Sequence, residues 1–330
     1  MKYYSQYSVL ALLLALLYAS GRLSAQTTGE YKRQLVFGID DDFINFHGQG
    51  TDEAYSAGTF INFRYSRTKP GFFPERWAPK AGPGSVNTYG FGVSQLIYTP
   101  NDLLATQPIN NDFPYAGALL ANFSAWSYNP VKKYGFQSRI VAGVMGPASF
   151  ASQVQIFAHH ITPTEVPKGW DNQLPNDILL NIELGAEKQL TGNNWIEVIG
   201  GGKIYAGSMM DALEASLFIR TGKMNPWFNG FMSHTGIPSH TTKNGRWQVY
   251  GFAKPSVQVV PYDAMLEGGI ILNKKKVVSP PVNRFRFEFD YGLVMSHSNF
   301  AISLTQKGYS PWIKGLGYHE VGNVTLYFQW

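Results

Sequence analysis

Along most of the chain, polar and apolar residues alternate one by one. Ile61, Phe63 and Tyr65 are interleaved with Asn62, Arg64 and Ser66, and Phe285, Phe287 and Phe289 with Arg284, Arg286, Glu288 and Asp290. A period of two is the signature of β-strands with one apolar and one polar face. Such stretches cover 34–43, 57–67, 87–98, 117–127, 133–144, 178–190, 194–206, 211–221, 246–260, 283–295, 298–306 and 319–330. They predict about twelve strands, each near the ~9–11 residues that a tilted transmembrane strand needs. In the last stretch Val324, Leu326, Phe328 and Trp330 share a face. A strand at that end suits a barrel closing on its first strand, because an open edge cannot be left in lipid. One stretch breaks the pattern: Ala148 to Ile161 holds neither Gly nor Pro and predicts a helix, with Gln155 and His159 one turn apart on one face.

The expected fold is therefore all-β: an antiparallel transmembrane barrel of about twelve strands, with a short helix in an outer loop. Alternation alone does not separate this from a soluble barrel, whose apolar face would point inward. Beside the terminal aromatic strand, two other features favour the membrane. Lys2, the apolar run Val9 to Tyr18 and the small-residue site Leu23-Ser24-Ala25 form a signal-peptide pattern over 1–25. That run is shorter than the ~20 residues of a spanning helix. The chain is also rich in glycine and aromatics and poor in charge, with a net charge of only +5 and no concentrated basic stripe of the kind nucleic acid requires. The expectation is one domain, 26–330, in the outer membrane of a Gram-negative-type envelope, with cleavage near Ala25.

An even strand number puts both termini on the periplasmic side. Asn129-Pro130, Thr191-Gly192-Asn193 and His297 then mark short inner turns, and segments near 44–56, 99–115, 145–177, 261–282 and 307–318 form long outer loops, the asymmetry expected of such barrels. Two inner segments, near 68–86 and 222–244, are unexpectedly long. Lys274-Lys275-Lys276 falls in an outer loop, where it suits either lipopolysaccharide phosphates or plain solvent. With no cysteine in the chain, thiolate metal sites, disulfides and a cysteine nucleophile are excluded. No G-x-S-x-G elbow is present either.

Polar clusters gather at the outer strand ends: Asp40-Asp41-Asp42-Phe43, Thr51-Asp52-Glu53-Ala54-Tyr55-Ser56-Ala57-Gly58, Asp112-Phe113-Pro114-Tyr115-Ala116-Gly117, and the segment from Gly146 through Gln155 and His159 to Gln173. Taken in this order, the four resemble the successive motifs of the LpxR-type outer-membrane lipid A 3′-O-deacylases, over essentially the whole mature chain. The resemblance implies a twelve-stranded barrel with a site between its wall and an outer-loop helix. It implies hydrolysis of an ester-linked acyl chain of lipid A, with Ca2+ at the oxyanion and a histidine-activated water.

Residue by residue, the family's Asn-Asp pair falls on Asp41 and Asp42, its Tyr-Thr-Ala-Gly on Tyr55 to Gly58, its Gln and His on Gln155 and His159, and its glutamate on Glu165. Catalytic roles are thus implied for His159, Gln155 and Asp41, and metal ligation for Asp42, Ser56 and Glu165. Asp41 departs from the family by a charge, and Ser56 keeps the hydroxyl of threonine. Basic residues that some members place after the third strand are replaced here by Leu103-Leu104-Ala105-Thr106. The chemistry is consistent with these residue types: calcium takes hard oxygen ligands, and imidazole titrates near neutrality. His160 remains an alternative base, and Gly169-Trp170 suggests a turn with an interfacial indole. The helix is expected to pack Val154, Phe157 and Ala158 on the wall. The expected partners are lipopolysaccharide and outer-membrane lipid. Rival readings are a non-catalytic barrel, porin-like or adhesive, and a serine phospholipase.

Overall fold

A computed structural model describes residues 33–45, 54–67, 69–161, 164–230, 234, 247–272, 280–297 and 299–330. The signal-peptide pattern, Thr51-Asp52-Glu53 and the lysine run lie outside the described residues. The strands are β1 Arg33–Asp41, β2 Ala54–Ser66, β3 Val86–Thr99, β4 Ala116–Asn129, β5 Tyr134–Met145, β6 Asp177–Gly192, β7 Ile196–Gly207, β8 Met210–Lys223, β9 Gln248–Asp263, β10 Phe285–His297, β11 Phe300–Tyr309 and β12 His319–Gln329. All twelve form a closed antiparallel barrel in which each pairs with its sequence neighbour and β12 pairs with β1. Among the described residues, α1 Phe73–Trp77, α2 Ala151–Ile161 and α3 Ala264–Glu267 accompany them.

The alternation has the sense of a membrane barrel. Ile61, Phe63, Phe91, Val93, Ile182, Leu184, Phe285 and Phe287 are exposed on the outer face. The interleaved charges point inward: Arg286 is buried against Asp263 at 2.8 Å, Lys254 meets Glu214, and Arg139 meets Glu183. An apolar exterior around a polar interior is stable only with hydrocarbon outside. Among the described residues no helix is long and apolar enough to cross a membrane.

The lumen is bridged at both ends. On the outer side α3, which follows β9, reaches across to touch β4, and its Met265 and Leu266 join Phe113, Val282, Ile313 and Tyr98 in one apolar cluster. On the inner side a 3₁₀ turn, Trp227–Asn229, reaches β4 as well, with Phe228 buried against Tyr128 and Ile199. Here the buried guanidinium of Arg220 bonds Glu197 and lies under the Trp227 and Tyr250 rings. The unexpectedly long 222–244 segment thus supplies part of an inner plug. The other long inner segment folds back along the outside of β2–β4: Phe72 packs on Phe91 and Phe123, and Ala81 bonds Ser127 and Asn129.

Candidate functional site

The site is built on a row of paired residues across the outer ends of four strands: Asp41 on β1 faces Ala57 on β2, Ala57 faces Ile97 on β3, and Ile97 faces Gly117 on β4. Gly117 has a steric reason. A Cβ there would run into Ala151 and Ser149, so glycine lets the first turn of α2 sit on the wall. Gln95, on the same outer face of β3, donates to the Ser149 carbonyl at 2.7 Å. Ala151 then packs with Ile97, Tyr115 and Trp170, with Ala57 and Ile156 at the edge of the cluster.

The helix differs from expectation in two ways. It does not run unbroken from Ala148: Pro147–Ser149 is a 3₁₀ turn, Phe150 takes a left-handed conformation (φ 58), and α2 begins at Ala151. Its packed face is also the opposite of the one expected. Ala151, Gln155 and His159 are buried, Gln155 to 4% and His159 to 7%, whereas Val154, Phe157 and Ala158 are exposed. The rule that the apolar side of a surface helix packs on the core is inverted here.

His159 Nδ1 lies 2.6 Å from the Glu165 carbonyl oxygen. A carbonyl only accepts, so Nδ1 carries the hydrogen, and Nε2 is the proton-accepting nitrogen of the neutral ring. The Trp170 indole N–H donates to Gln155 Oε1 at 2.9 Å. That bond fixes the amide orientation, turning the NH2 of Gln155 away from the indole as a donor. Trp170 is therefore buried and positional, not interfacial as its turn context suggested. It packs on Tyr115 at 4.9 Å between ring centroids, and Gly169 leaves room for that ring. The Tyr115 hydroxyl donates to the Leu103 carbonyl, and burial pushes its pKa up to about 12, so it remains a neutral donor. Lys168 N–H also bonds Leu103 O, and Leu174 N–H bonds Tyr115 O, stitching the two outer loops together over the wall. Asp112 ties its own loop through the Asn101 and Phe113 amides; burial raises its pKa and those amides oppose the rise. His160 turns outward and back to the Ile156 carbonyl of its own helix.

The acidic run separates by side. Asp40 faces the lumen, where Tyr55 donates to it at 2.7 Å, Lys307 at 2.8 and 2.9 Å and Asn323 at 2.6 Å. Gly58 has no Cβ to block the Tyr55 hydroxyl. Asp41 ends β1 on the outer face beside Ala57, and Asp42 is buried at the start of a 3₁₀ turn, Asp42–Ile44. A register shift between Tyr55 and Ala57 leaves Ser56 unpaired in the ladder, and its hydroxyl donates to the Ile97 carbonyl at 3.4 Å. The lumenal network thus braces, from inside, the two strand ends that present Asp41, Asp42 and Ser56. Sequence reading passed over Lys307, Asn323 and Gln95, which carry no motif of their own.

Glu165 is exposed and contributes its backbone carbonyl to His159. Among the described residues no three His, Asp or Glu side chains gather into a ready-made metal cluster. The oxygens present, the Asp41 and Asp42 carboxylates, the Ser56 hydroxyl and nearby carbonyls, are hard donors. Calcium takes mixed oxygen ligands of this kind, whereas zinc prefers nitrogen and sulfur.

These features define a class: an outer-membrane barrel that carries a polar site on its wall, outside the lumen, beneath a surface helix. The family profile described as "Outer membrane protein LpxR" matches residues 9–330, and the chain belongs to the LpxR family. The solved structure of LpxR from Salmonella typhimurium superposes with a TM-score of 0.71 at 19% identity, covering 90% of this chain and 100% of that one. The β domain of the Bordetella autotransporter BrkA gives a TM-score of 0.43 at 10% identity, covering 92% of this chain and 99% of its own. No curated protein sequence matches.

Proposed function

We propose that this protein is a lipid A deacylase, hydrolysing an ester-linked acyl chain of lipid A at the outer surface. One observation carries the reading: the buried polar face of α2, with Gln155 and His159, lies against the lipid-facing side of the wall and not the lumen. A substrate there approaches from the membrane. The porin-like alternative is disfavoured by apolar bridges across both ends of the lumen. A serine mechanism finds no motif.

In this mechanism, His159 Nε2 takes a proton from water as the water oxygen attacks the acyl carbonyl, while the Glu165 carbonyl holds the ring and stabilises the cation formed. The Gln155 amide donates to the oxygen that becomes negative, oriented by Trp170. Collapse breaks the acyl C–O bond, and the imidazolium returns its proton to the leaving sugar oxygen, yielding a free fatty acid and a hydroxyl. Calcium, when bound, would supply Lewis-acid polarisation of the ester carbonyl. Asp42, Ser56 and Glu165 would hold it, with Asp41 next to Asp42 in the chain. Mass spectrometry of lipid A from cells with and without the protein tests the reading: loss of one ester-linked chain is expected, and unchanged lipid A overturns it.

A further inference from the structure

The outer side of α2 remains to be accounted for. Phe150, Val154, Phe157 and Ile161 are 59%, 44%, 67% and 69% exposed. At about 100° per residue Val154, Phe157 and Ile161 share a stripe about 60° wide, centred about 130° from that of Ala151, Gln155 and His159, and Phe150 directly precedes the helix. The remaining flank carries Gln153 and His160, both exposed and polar. The helix therefore has three faces: one on the wall, one apolar and outward, and one polar between them. That division is the pattern of a helix lying in a membrane interface.

The wall beneath fixes what meets the outward face. Gln95, which holds Ser149 at the start of the helix segment, is in ladder register with Leu119, Val144 and Ile178 across β4, β5 and β6. Ile178 and, two residues on, Leu180 are exposed and begin the apolar belt of β6, while Val93 and Phe91 continue it below Gln95. The stripe of α2 thus adjoins the surface that the barrel presents to lipid.

We propose that α2 is an interfacial helix whose Val154–Phe157–Ile161 stripe is immersed in the acyl chains of the outer leaflet, so that the bilayer presses Gln155 and His159 onto the wall. The immersion does not depend on the catalytic reading; only its consequence for the site does.

The absence of cysteine makes the test direct. Single variants Val154→Cys, Phe157→Cys and Gln153→Cys would carry a nitroxide, with Phe285→Cys as a lipid-belt reference and Asp171→Cys as an exposed loop reference. They would be reconstituted in phospholipid vesicles containing lipopolysaccharide, and heat-modifiable gel migration would confirm folding of each. Collision rates with oxygen and with a water-soluble nickel chelate report the surroundings. Labels at 154 and 157 are expected to favour oxygen as 285 does, and the label at 153 to favour nickel as 171 does. Nickel-dominated collisions at both 154 and 157 would overturn the proposal. So would strong spin–spin broadening at 157 that vanishes on dilution with unlabelled protein, which would put a second copy on the stripe. Either failure leaves the lipid A assay to judge the deacylase reading separately.

Discussion

His159 donates from Nδ1 to the backbone carbonyl of Glu165 at 2.6 Å, so the residue six positions downstream orients the proposed base without using its side chain. Two roles of Glu165 are thereby separable. Glu165→Ala keeps the carbonyl and the imidazole orientation, so its pH–rate profile should match the parent, and any loss should appear as a higher calcium requirement. A displaced pH profile at saturating calcium would show that the carboxylate acts on the imidazole.

The Trp170 indole has one polar task, holding Gln155 Oε1. Trp170→Phe keeps the packing on Tyr115 and removes the N–H. With a neutral hydrogen bond at ~1 kcal/mol, kcat should fall about tenfold or less, with heat-modifiable migration unchanged. Parent-like kcat would show that the amide orientation is set elsewhere.

Gly117→Val places side-chain atoms where Ala151 sits. Overpacking of ~1–3 kcal/mol would lift the helix from the wall and lower activity about ten- to a hundredfold. The barrel, closed by its strand ladders, should still migrate as a folded species. Full activity in this variant would detach the helix from the chemistry.

Asp41 falls where the motif resemblance implies asparagine. Asp41→Asn removes one of two adjacent carboxylates while leaving Asp42, so activity should persist or rise, measured as release of fatty acid from purified lipid A. Loss of activity at all calcium concentrations would make the Asp41 carboxylate essential.

Much of the barrel was legible in the sequence because side chains on a regular strand alternate between its faces: Arg286 had to face inward once Phe285 and Phe287 faced lipid. Strand ends were less legible. β1 stops at Asp41, two residues short of Phe43, because Asp42 to Ile44 turn; β2 begins at Ala54, three residues early, because the shift around Ser56 hides the period. The buried face of α2 was misread for a physical reason. Sequence periodicity reveals which residues share a face, but not whether lipid or protein lies beyond it. Gln155 and His159 were legible through their motif, whereas Trp170, Gln95 and Lys307 act through folding contacts between distant strands and loops.

The central claim is that His159 is the base of a calcium-dependent hydrolysis, and purified parent and His159→Ala protein acting on lipid A test it most directly. With calcium, the parent should release fatty acid, stop on chelation and resume when calcium is restored. His159→Ala should be slower by ~10²–10⁴-fold at every calcium concentration while binding the ion as the parent does. Full activity of His159→Ala, or equal parent activity with chelator present, would contradict the account.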